Sequence, residues 1–69
     1  MELKGQAQPS SLSKKVKADV LNVRGGPGLT FTVLHTLNGG TEVAVYTVFN
    51  GWSKISNTAD EWVFSSLLS

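Results

Sequence analysis

The chain has 69 residues, enough for one small domain, which buries a smaller share of its surface than a larger one does. It contains no cysteine, which excludes disulfide staples and thiolate metal sites and leaves an apolar core and a backbone ladder to hold the fold. A formal charge of +1 with 16% charged residues lacks the dense basic stripe that binds phosphate through counterion release, so nucleic acid is not an expected partner.

Residues 1–15 are rich in Gln, Ser, Gly and Pro with isolated leucines, and offer no periodic apolar face to bury. They read as a flexible linker or N-terminal extension, followed by a domain of residues 16–69. The small basic cluster of Lys14, Lys15 and Lys17 reads as a solvated surface. No stretch approaches the roughly 18 consecutive apolar residues of a membrane span, and no membrane contact is expected. Residues 1–13 lack the apolar centre of a secretory signal, so export of the module would rely on means not encoded in this chain.

From Val16 onward, segments of period two alternate with turn signals at short spacing, and no segment longer than a turn reads as helix. That pattern predicts an all-β fold, a small barrel or sandwich of five to seven short antiparallel strands. The first strand is expected at 16–24, with Leu21 and Val23 inward and Asn22 and Arg24 outward, since side chains alternate across a strand. Gly25, Gly26, Pro27 and Gly28 break the ladder and launch an irregular loop reaching about residue 30, anchored by Leu29 and Phe31. A second strand at 31–37 would turn Val33, and with it Leu37, inward before the turn at Asn38-Gly39-Gly40.

A third strand is expected at 41–48, where the charge of Glu42 assigns the Val43 and Val45 face to the core and puts Tyr46 outward. Asn50-Gly51 is a two-residue hairpin signal, and residues 52–55 return with Ile55 inside and Trp52 and Lys54 outside. A fifth strand at 61–64 carries Val63 inward and Trp62 and Phe64 outward. Residues 65–69 would make a short 3₁₀ turn and a closing strand, with Leu67 or Leu68 plugging one barrel end.

Alternation thus leaves Tyr46, Trp52, Trp62 and Phe64 off the core face, and a chain this small rarely displays four large aromatics without reason. Such a row can hold peptide or sugar by stacking while nearby polar groups set orientation. The competing reading is structural, with the first loop folding back to cover these rings. On the ligand-binding reading, truncating Trp52 or Tyr46 costs binding and less stability than truncating Val45 or Val63. Arg24 could take a ligand carboxylate through a bidentate pair, or else pair with Asp19, Asp60 or Glu61. Asn22 joins it on the outer face, and Phe49 at the hairpin tip is a further contact candidate.

Catalysis finds little support, because there is one histidine and the acids Asp19, Glu42, Asp60 and Glu61 lie on separate elements. No catalytic residue, metal site or cofactor is expected.

Leu21-Asn22-Val23-Arg24-Gly25-Gly26-Pro27, followed by 31–37, Gly40-Thr41, Asn50-Gly51-Trp52 and Trp62-Val63, resembles the motif series of bacterial SH3-like (SH3b) domains. His35 and Glu61 depart from it, each standing where the family has Gly, and both are expected at strand ends or turns. The resemblance implies an SH3-like barrel and a non-catalytic module that binds peptidoglycan through its peptide bridge, stem peptide or glycan. Such domains accompany endolysins, autolysins and other peptidoglycan hydrolases, so the implied partners are a bacterial cell-wall component and a linked catalytic domain. An extracellular or wall-associated, monomeric module follows. The alternative is an interaction or structural module packing against a catalytic domain or binding a peptide segment, with proline-rich peptide recognition a weaker third.

Overall fold

The computed structural model describes residues 11–69. Among them are seven strands: β1 (Leu12–Lys15), β2 (Val20–Arg24), β3 (Val33–Asn38), β4 (Glu42–Val45), β5 (Thr47–Phe49), β6 (Trp52–Lys54) and β7 (Trp62–Phe64), followed by a 3₁₀ turn, η1 (Ser65–Leu67). They form two antiparallel sheets, a pair β1-β4 and a five-stranded sheet in the order β3-β2-β7-β6-β5. This is the all-β, small SH3-like barrel that the sequence predicts.

The core consists of Val16, Leu21, Val23, Val45, Val63 and Leu68, with Leu37, Val43, Ile55 and Leu67 packed against it. The alternation of β2 and β7 therefore works as expected, and Leu68 supplies the end plug. Asn50 and Gly51 both have positive φ, the requirement of the tight turn whose twist matches two antiparallel strands. Phe49 and Trp52 face each other across that turn. Ser53 is buried on the core side opposite Val63, and its hydroxyl is satisfied by the Ser65 hydroxyl at 2.6 Å.

Five expectations change. Residues 12–15, read from composition as linker, form β1 and pair with β4. A strand that adds to an existing edge is held by main-chain hydrogen bonds and needs little apolar periodicity. The first segment at 16–24 is broken: Val16 bridges Leu68, and β2 begins only at Val20, because the chain crosses between sheets at 17–19. The third segment at 41–48 is likewise divided at Tyr46. Its amide donates to the Lys54 carbonyl at 2.9 Å, so one bent segment supplies β4 to the small sheet and β5 to the large one.

Val33 is exposed rather than inward. The pairing of β2 with β3 shifts between Val23 and Arg24, so that Leu37 faces Leu21 while Val33 faces the outward Arg24. A one-residue slip moves a side chain to the opposite face. His35 stands in mid-strand opposite Val23 and is exposed, not at a strand end; Glu61 does precede β7 directly.

Candidate functional site

The outer face of the five-stranded sheet carries two rows that follow from the pairing register. Arg24, Trp62 and Lys54 are neighbours across β2, β7 and β6. Phe64, Trp52 and Phe49 are neighbours across β7, β6 and β5. The Trp52 and Phe64 rings lie 5.1 Å apart at 54°, within the range of tilted aromatic pairs.

The first loop folds back over this face. The Arg24 Nη1 donates to the Leu29 and Phe31 carbonyls, both at 3.0 Å, rather than to an acidic side chain. Asp60 instead lies 3.8 Å from Lys54. The Phe31 ring presses on Gly26, where an added Cβ would fall 2.3 Å from the ring, so that position has room only for hydrogen.

Between loop and sheet lies a groove of about 160 Å³ lined by Val20, Leu21, Asn22, Arg24, Leu29, Trp52, Phe64 and Leu67. Asn22, Arg24, Trp52 and Phe64 are thus brought together. Trp62 sits in the neighbouring row, Phe49 flanks Trp52 at the hairpin tip, and Tyr46 stands half-buried at the corner between β4 and β5, outside the groove lining.

Trp52 and Trp62 occupy the outer face, as alternation requires, but they are only 7% and 8% exposed. Phe64 and Phe49 remain 44% and 54% exposed. Both tryptophans are therefore buried despite their outward parity, while Phe64 keeps an accessible ring. Val20 and Leu67 are groove residues that motif reasoning missed. The signal for Val20 was available, since it shares the parity of Asn22 and Arg24 in β2.

Trp62 carries a second consequence of burial. Its indole Nε1 is buried without a hydrogen-bond partner among the described residues, with Lys54 Nζ 6.0 Å from the ring centroid. An orphaned buried donor costs about 1–3 kcal/mol. Trp62→Phe removes that donor while keeping a ring, so its net change in unfolding free energy by urea titration is expected to stay under about 1 kcal/mol. Trp62→Ala should cost about 3–5 kcal/mol.

The sequence profile described as Bacterial SH3 domain matches residues 19–69. The chain belongs to the bacterial SH3 domain family. The match begins just before β2, so β1 lies outside it. This bacterial SH3 domain is 43% identical over 51 residues to the "Probable endopeptidase p60" of Listeria innocua serovar 6a, covering 72% of the chain and 11% of that protein. The protein of the same name from Listeria monocytogenes serovar 1/2a is 41% identical over 51 residues, covering 72% and 10% respectively. That of Listeria seeligeri is 48% identical over 44 residues, covering 62% and 8%. The chain therefore spans about a tenth of the length of the curated relatives it matches. No solved structure matches.

Proposed function

We propose that this domain is a non-catalytic cell-wall-binding module, recognising peptidoglycan and holding a linked hydrolase at the bacterial wall. The observation that carries this reading is the loop-roofed groove, where the exposed Phe64 ring, the edge of Trp52 and the polar groups of Asn22 and Arg24 converge. Apolar walls with a few placed polar groups suit a peptide bridge, stem peptide or sugar face. The family and the endopeptidase name of its relatives support a hydrolase as the linked partner. The chemistry then belongs to that partner, and the module raises its effective concentration at the substrate by tethering. Such a module works outside the cell.

The test is a pull-down of this chain, fused to a fluorescent protein, on purified Gram-positive walls. Saturable retention above that of the fluorescent protein alone is expected, and retention no greater than that control would sink the reading. A second reading draws on β3, the edge strand of the large sheet, where Val33 and Leu34 are exposed beside Phe31 of the first loop. Such an apolar edge suits packing against a linked catalytic domain. It predicts protection of β3 amides from hydrogen exchange in the two-domain protein, and no change in wall retention when Leu34 is made polar.

A further inference from the structure

Among the described residues, Arg24 is the only charged one lining the groove, and none of the described carboxylates lines it. Any anionic group entering therefore meets a cation with no competing acid in the walls. The guanidinium is also held in place. Both of its engaged donors are on Nη1, which bonds the Leu29 and Phe31 carbonyls. A guanidinium carries five N–H donors, and the three on Nε and Nη2 have no hydrogen-bond partner among the described residues. These two nitrogens present the parallel pair of donors that matches the two oxygens of a carboxylate.

The remaining walls limit what can accompany that carboxylate. Val20, Leu29, Trp52, Phe64 and Leu67 are apolar, and Asn22 offers an amide able to donate and accept. The groove volume of about 160 Å³ is below the roughly 300–1,000 Å³ of pockets that enclose larger ligands. It suits a small residue at the end of a chain better than a long glycan.

We infer that the groove recognises a carboxylate carried by a short peptide with small side chains. Arg24 takes the carboxylate through Nε and Nη2, Asn22 takes the adjoining peptide group, and Trp52 and Phe64 take the small aliphatic part. This rests on the wall-binding reading above and narrows it to one chemical feature. A main-chain terminus and an acidic side chain offer the same carboxylate, and the choice between them is made by experiment.

Three blocked dipeptides separate the cases: acetyl-Gly-Ala with a free terminal carboxylate, acetyl-Gly-Ala amide with none, and acetyl-Glu-Ala amide with a side-chain carboxylate only. Each is titrated into the full chain while the Arg24 Nε–H and Trp52 indole resonances are followed. At least one of the two carboxylate peptides should shift both signals saturably, with the uncharged peptide at least about tenfold weaker, as loss of a charge-assisted pair implies. Which carboxylate peptide responds identifies the source. Arg24→Gln should abolish the preference and Arg24→Lys should keep part of it. Because Arg24 also holds the loop, the comparison of peptides on the unaltered protein is decisive.

Equal response to the charged and uncharged peptides, or no response to any, overturns the inference. Wall retention measured on the same preparation separates the two ideas. Walls retained without carboxylate preference remove this inference alone, whereas carboxylate preference without wall retention removes the wall reading and leaves the carboxylate site.

Discussion

Trp52→Ala is expected to lower the unfolding free energy by about 3–5 kcal/mol, seen as a fall in Tm of at least roughly 12 °C. A domain of this size has only about 3–10 kcal/mol in total, so much of the variant should be unfolded near physiological temperature. The ring is 7% exposed, packs against Phe64 at a tilt and closes the hairpin opposite Phe49. Its removal takes away a large buried area and leaves a cavity under the groove. Val63→Ala, which deletes far less volume from a fully buried site, should cost about 1–3 kcal/mol. Strand parity alone implies the reverse order, so thermal melts of the two variants decide between parity and the observed burial. If Trp52→Ala melts above Val63→Ala, the ring does not support the fold.

Gly39→Ala should cost about 1–3 kcal/mol through overpacking, although the site is a surface turn. An added Cβ there would lie 2.7 Å from the Ala18 carbonyl oxygen and 3.4 Å from the Asp19 Cα. Both are backbone atoms and cannot swing aside. The same turn is laced to the crossover by Gly39 donating to the Asp19 carbonyl and Gly40 to the Val16 carbonyl, both at 2.8 Å. Gly40 is the contrasting control. Nothing lies near its Cβ position, and its φ of +86° makes any penalty there conformational. A Gly39→Ala variant as stable as the parent would show that the crossover can move away from the turn.

These two cases mark what was legible in the sequence. Period-two alternation placed Leu21, Val23, Val45 and Val63 correctly because each belongs to a short strand packed on one core. Asn50-Gly51 was equally plain, since the residue types state the backbone angles directly. Alternation failed at Val33, where the register shift beside Arg24 changes the face, and no local signal in an apolar strand announces such a shift. It was incomplete at Trp52 and Trp62. Parity says which side of a sheet a ring leaves from, and cannot say whether a distant loop lies over it.

The site was legible in the same partial way. Asn22, Arg24, Trp52 and Phe64 were nominated singly from parity and side-chain chemistry, and the fold gathers them into one groove. Tyr46 shares their nominal parity but sits where the segment bends between sheets, so the parity count does not carry through it. The role of Arg24 in tying down the loop through carbonyls depends on tertiary proximity, to which residue spacing is blind.

The way the barrel closes also bears on how the chain reaches its native state. Lys15 and Ser69 exchange two backbone hydrogen bonds, 3.0 and 2.8 Å long, Lys17 donates to Leu67, and Val16 bridges Leu68. The first described strand therefore finishes its pairing only with the last residues of the sequence. Contacts of such wide separation must be reached against loop-closure entropy, which slows folding in all-β topologies to the millisecond-to-second range. During synthesis on the ribosome, Val16 can pair with Gly40 and Thr41 early, but it gains its bridge to Leu68 only once residues 67–69 have emerged, so closure of the barrel waits for those residues.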